Sequence, residues 1–114
     1  MLIAFDLDGT IDTDPGMYQQ IMGALQTAGI TVVVLTACIG KQLAPNDVDQ
    51  KAQCLANLGV TAWDQLIVVS DPVDANKADW LKQNGASLLV DNAKDNAKAA
   101  ADICPVLVPW QTRE

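Results

Sequence analysis

Three short runs constrain the fold of this chain more than any other feature: TVVVLT at 31–36, LIVVS at 66–70 and SLLVD at 87–91 are apolar along nearly their whole length. A strand with one wet face alternates apolar and polar side chains. A run without alternation belongs in a sheet covered on both faces, which is where parallel strands occur. Two more runs, LIAFD at 2–6 and ICPVLV at 103–108, complete a set of five expected strands. Between the strands the period is helical. Met17, Ile21, Met22, Leu25 and Ala28 trace one face, Val48, Ala52, Leu55 and Leu58 trace another, and two shorter helices are expected later. Asp14 before Pro15 reads as an N-cap followed by proline at the first helical position, and Gly29, Gly59 and Gly85 stand where helices should stop. Residues 37–47, ACIGKQLAPND, are expected to form a loop. This pattern specifies an α/β fold, a three-layer doubly wound parallel sheet of about five strands, as a single domain over 1–114.

Composition narrows the function classes. At 114 residues the chain can bury a core without disulfide staples. Cys38, Cys54 and Cys104 are odd in number and too scattered for a metal knuckle or a CxxC pair, so they are expected as reduced, partly buried thiols. No apolar run approaches the roughly 18 residues needed to cross a membrane, and no basic region precedes an apolar stretch at the N-terminus, so a cytoplasmic protein is expected. Thirteen of the fourteen acids are Asp, and the net charge is -7, the wrong sign for binding extended nucleic acid. Histidine is absent, which removes His bases, Ser/His/Asp triads and His-ligated zinc together. Catalysis, if present, runs on carboxylates, Lys, hydroxyls or thiols.

In open α/β sheets, ligands sit outside the carboxyl ends of the strands. Here those ends carry Asp6 with Asp8, then Thr36, then Ser70 and Asp71, then Asp91, so acids and hydroxyls converge on one rim. Carboxylates this close destabilise one another unless a cation or a shared proton offsets the repulsion. Oxygen-only ligands imply a hard ion, and few carboxylates with room for water favour Mg2+ over Ca2+. The bland alternative for each residue is ordinary: a solvated turn for Asp6 and Asp8, a cap for Thr36, an exposed lysine for Lys77 and a solvated helix acid for Asp95.

The stretch FDLDGT resembles motif I of the haloacid dehalogenase (HAD) superfamily of phosphotransferases. VVVLTA, ending in Thr36, resembles motif II; Lys77 in NKADWLKQNG stands where the motif III lysine belongs, with Lys41 as its competitor; and LLVDNAKDN resembles motif IV. The resemblance implies a Rossmann-like, HAD-like fold and an Mg2+-dependent phosphatase. In it Asp6 is the nucleophile that forms an aspartyl-phosphate, and Asp8 is the general acid and then base. Asp6, Asp8 (through its carbonyl) and Asp91 hold the metal. Thr36 and Lys77 hold the phosphoryl oxygens with the backbone N–H groups of Leu7 and Ala37, while Gly9, Thr10, Asn92 and Asp95 support the site. Many relatives have two acids in a row in motif IV; here the second is Asn92, so the division of labour between Asn92 and Asp95 stays open.

No insertion after motif I or motif II is long enough for the cap domain that usually selects substrate in that superfamily. The resemblance therefore points to the capless branch, whose open sites accept bulky substrates or gain a lid by oligomerising; the partner expected is a phosphorylated substrate, small or macromolecular. A function of another class is also consistent with the residues: a noncatalytic phosphate- or metal-binding module that retains the fold. Trp63, Trp80 and Trp110 are expected to pack against or close the core, with Trp110 also able to anchor a partner.

Overall fold

The computed structural model describes residues 1–109, so Trp110 lies outside the described residues. Five strands, β1 (Leu2–Phe5), β2 (Thr31–Ala37), β3 (Gln65–Val69), β4 (Leu88–Val90) and β5 (Val106–Leu107), form one sheet in the order β3-β2-β1-β4-β5. Every pairing is parallel. Four helices connect them: α1 (Pro15–Thr27), α2 (Asp47–Asn57), α3 (Val73–Gln83) and α4 (Lys94–Ala100), with a 3-10 turn at Ile11–Thr13 before α1. The expected doubly wound α/β architecture is the observed one.

Alternate residues of the strands feed two separate cores. On one face Ile3, Phe5, Val32 and Val34 pack with Tyr18 and Met22 of α1 and Leu55 of α2. On the other, Ala4, Val33, Leu35 and Leu89 pack with Leu81 of α3 and Ala100 of α4. β2 is buried on both sides, as its unbroken apolar run requires. β3 is equally apolar but only half-buried, because it is the edge strand and has a neighbour on one side alone. Trp63 and Trp80 are partly buried, one against each core.

Several expected boundaries shift. β5 is confined to Val106–Leu107; Ile103 and Cys104 instead complete the turn after α4, where the Cys104 N–H donates to the Ala100 carbonyl. In α1 the buried side chains are Tyr18 and Met22, and Met17 and Ile21 face outward. In α2 Leu55 is buried and Leu58 packs against the core, as the spacing predicts, but the face is rotated toward Asp47 and Lys51, which are buried, while Val48 is exposed and Ala52 half-buried. The rotation is tolerable because both buried ionic groups have partners: the Asp47 carboxylate accepts from the Ala44 N–H at 2.7 Å, and Lys51 pairs with Asp8. Asp14 caps α1 as expected, accepting from the Met17 N–H at 3.3 Å. Residues 38–46 form the irregular connection from β2 to α2, and nothing there folds into a cap.

Candidate active site at the ends of β1, β2 and β4

The sheet order reverses at β1, whose neighbours are β2 on one side and β4 on the other. Such a switch point splays the chain to opposite faces and opens a crevice beyond the strand ends. Phe5 pairs with Val34 and with Val90, so the residues that follow each, Asp6, Leu35–Thr36 and Asp91, stand side by side at that crevice. The Asp6 N–H donates to the Val90 carbonyl at 2.8 Å and extends the ladder one step past β1.

The centre is an ion-paired triad in a dry setting. Lys77 Nζ, on α3, lies 2.8 Å from Asp6 Oδ1 and 2.9 Å from Asp91 Oδ2. All three residues are buried, Lys77 to 1% exposure. A buried ammonium is tolerated only when paired, and one lysine here serves two carboxylates that would otherwise repel each other. Burial pushes the Asp6 carboxyl up from 3.8 to about 6; Lys77 pulls the other way, and the Asp91 and Asp8 charges add to the rise. Asp91 is held in place by two further donors, the Ala93 N–H to Oδ1 at 2.9 Å and the Asn96 amide to Oδ2 at 3.1 Å.

Around this triad the chain after β1 turns sharply. Gly9 has φ +83°, and a Cβ there would come within 2.8 Å of Asn92 Cγ, so glycine is what lets the chain pass so close to the Asn92 side chain. Its N–H donates to Asp12 Oδ1 at 2.8 Å. Thr10 is fully buried; its hydroxyl accepts from the Asn92 N–H at 3.2 Å and stands 3.5 Å from Asp6 Oδ2. The Asn92 amide satisfies its surroundings when its nitrogen faces β1, donating to the Asp8 carbonyl at 3.1 Å and to Asp6 Oδ2 at 3.0 Å. Leu7 buries its side chain in the core while its carbonyl accepts from the Thr10 and Asp12 N–H groups.

Thr36 ends β2 fully buried, and its hydroxyl has no hydrogen-bond partner. An orphaned buried hydroxyl costs about 1–3 kcal/mol, so its presence at a strand end marks capacity held for something else. Ala37 follows it, half-buried. The Asp8 side chain is 61% exposed and points to Lys51 Nζ at 2.8 Å. Asp95 is exposed on the first turn of α4, lining an open depression with Asp71, Asp74 and Asn96. The side chain of that helix that reaches Asp91 is Asn96. Lys41, the alternative to Lys77, is an exposed loop residue.

Among the described residues no three His, Cys, Asp or Glu side chains gather closely enough to hold a metal ion. The oxygen donors that do face one another are the Asp6 and Asp91 carboxylates, both within 2.9 Å of one lysine nitrogen. Lys77 occupies the place between them, and the donors are oxygen alone, the chemistry that a hard divalent ion takes.

Lys51 and Asn96 are the two residues at the site that the motifs do not point to. Lys51 could have been found from its spacing, four residues before Leu55 on the buried face of α2. Asn96 lies only five residues past Asp91, and which residue of the first turn of α4 reaches Asp91 is set by how the chain turns from β4 into the helix.

No family model matches the chain, and no curated protein does. Among solved structures, D,D-heptose 1.7-bisphosphate phosphatase from B. bronchiseptica, complexed with magnesium and phosphate, superposes with a TM-score of 0.64 at 20% identity over 94% of this chain and 79% of that one. A universal stress protein family member from Burkholderia pseudomallei superposes with a TM-score of 0.54 at 19% identity, covering 95% of this chain and 94% of that one. A universal stress protein in complex with cAMP has a TM-score of 0.55, also at 19% identity and with the same coverage. The fold is the one shared by these proteins. At such identities the likeness speaks to the fold alone.

Proposed function

We propose that this chain is an Mg2+-dependent phosphohydrolase that cleaves phosphate monoesters through an aspartyl-phosphate on Asp6. The observation that carries the reading is the buried Asp6–Lys77–Asp91 triad at the switch point of the sheet, with the unpartnered Thr36 hydroxyl on the adjoining strand. The FDLDGT stretch supports the same assignment, and so does the likeness to a phosphatase that binds magnesium and phosphate.

The residues divide the work as follows. A carboxylate oxygen of Asp6 attacks phosphorus while the bond to the leaving oxygen breaks, which replaces one hard displacement by two easier ones. Asp8, exposed at the rim, gives its proton to the leaving oxygen, and its carboxylate then removes a proton from the water that attacks phosphorus and frees Asp6. Lys51 orients Asp8 from α2. Lys77 and the Thr36 hydroxyl donate to the phosphoryl oxygens, with the Leu7 and Ala37 N–H groups beside them. Mg2+, held by Asp6, Asp91 and the Asp8 carbonyl, would offset the negative charge of nucleophile and substrate. Gly9, Thr10, Asn92 and Asn96 hold the ligands in position.

The rim is open because 38–46 is only a short connection. An open rim admits bulky phosphomonoesters and excludes water poorly, so small aryl phosphates should turn over slowly. The likeness to universal stress proteins favours a second reading, a noncatalytic phosphate- or nucleotide-binding module. A screen of sugar phosphates, nucleotides, phosphopeptides and 3'-phosphorylated DNA, run with and without Mg2+ on the parent and on Asp6→Asn, separates the two. Mg2+-dependent turnover that disappears in Asp6→Asn supports the phosphatase. No turnover by either protein, with phosphate binding unchanged between them, supports the module.

A further inference from the structure

The two faces of the sheet are not equally covered. On the face packed by α1 and α2, Leu88 and the buried Val90 of β4 floor a space between α1 and the edge of the sheet that Leu107 of β5 also lines. The result is a groove of about 390 Å3 whose lining is wholly apolar apart from the Tyr18 hydroxyl and backbone atoms. Its walls stay exposed: Met17 at 44% and Ile21 at 42% on α1, and Leu107 at 58% on β5. Among the described residues no helix covers β4 and β5 on this side.

We propose that the groove is the interface of a two-fold symmetric dimer, in which α1 of each copy, through Met17 and Ile21, seats against the groove of the other. Charge selects this occupant. The chain carries -7, so two copies repel unless they meet through a neutral surface. In a two-fold interface each patch meets itself, and any uncompensated charge on it would face its own copy. Residues 15–30, which include all of α1, contain no charged side chain, and neither do 103–109, which include β5. This neutral, apolar strip lies on the surface of a strongly acidic molecule. Pro105 and Pro109 bracket β5 and remove backbone donors from its ends, which disfavours continuing the sheet edge to edge and leaves packing of the helix face as the mode of contact. α1 has 13 residues and so is about 20 Å long, which places the contact at the small end of stable interfaces.

Sedimentation of the full chain from about 1 µM to about 1 mM tests the proposal directly. A monomer–dimer equilibrium is expected, and it should tighten with added salt as repulsion between the two acidic bodies is screened. Ile21→Asp should weaken the dimer by about tenfold or more, since it places two like charges across the axis. Val48→Asp, on the equally exposed position of α2 outside the groove, should leave it unchanged. Circular dichroism confirms that both variants are folded. A monomer throughout the concentration range overturns the proposal and leaves the groove to a helix of another protein. A dimer indifferent to Ile21→Asp overturns it equally.

Discussion

Asp6 is ionised at a cost, and replacing it with asparagine should make the protein more stable while abolishing turnover. In the folded chain the Asp6 carboxyl titrates at about 6 instead of 3.8, chiefly because it is buried. A raised pKa means that between those two values the folded state holds the proton that the unfolded state has lost. Stability therefore falls as pH rises from about 4 to about 6, and the full cost remains at pH 8. The gap of about 2 pH units corresponds to on the order of 3 kcal/mol. An amide keeps the shape of the protonated acid: its oxygen can still accept from Lys77, which retains Asp91, and the Asn92 amide can turn to accept from the new nitrogen. Urea unfolding followed by circular dichroism, in EDTA, should show Asp6→Asn unfolding at a midpoint higher by about 1–2 M at pH 8. The advantage should be small by pH 4 and vanish below it, where the unfolded parent takes up the proton as well. Adding Mg2+ should stabilise the parent and have little effect on the variant. Equal midpoints at pH 8, or a gain that persists undiminished at pH 4, would show that burial does not strain this carboxylate.

The neighbouring residues give sharper contrasts. Lys77→Met leaves Asp6 and Asp91 buried without their cation and should cost about 3–5 kcal/mol; combined with Asp6→Asn, part of that loss should return, and a strictly additive double mutant in the same urea assay would contradict the shared triad. Thr36→Val removes a buried hydroxyl that has no partner and should stabilise the chain by about 1 kcal/mol. It should also weaken binding of a phosphate analogue such as beryllium fluoride in isothermal titration; unchanged binding would remove Thr36 from the phosphate site. Lys51→Met should change stability by less than about 1 kcal/mol, because Asp8 is mostly exposed. It should slow hydrolysis of alkyl phosphates more than of aryl phosphates, whose leaving groups need less help from the acid; equal slowing would deny Lys51 a part in placing Asp8.

Much of this molecule could be read before any coordinates. Unbroken apolar runs such as TVVVLT have one stable home, a sheet covered on both faces, and periodicity and capping marked the helices that cover it. The residues at the strand ends followed directly, because strand ends and Gly9 are local features and the chemistry of Asp6, Asp8, Thr36 and Asp91 belongs to the residue types themselves. Which of two lysines enters the site was a different kind of question. Lys77 is buried between Asp6 and Asp91, 71 and 14 residues away along the chain, and no local pattern encodes such a contact. The same holds for Lys51 beneath Asp8, 43 residues away, whereas Asn96 is only five residues past Asp91 and is preferred over Asp95 by the way the first turn of α4 is seated. The rotation of α2 and the half-burial of β3 were likewise settled by what each element packs against. Backbone periodicity depends on neighbours a few residues apart and is written in one dimension. Burial, the raised Asp6 pKa and the uncovered groove beside α1 depend on the surroundings that the whole fold assembles, and only the tertiary structure decided them.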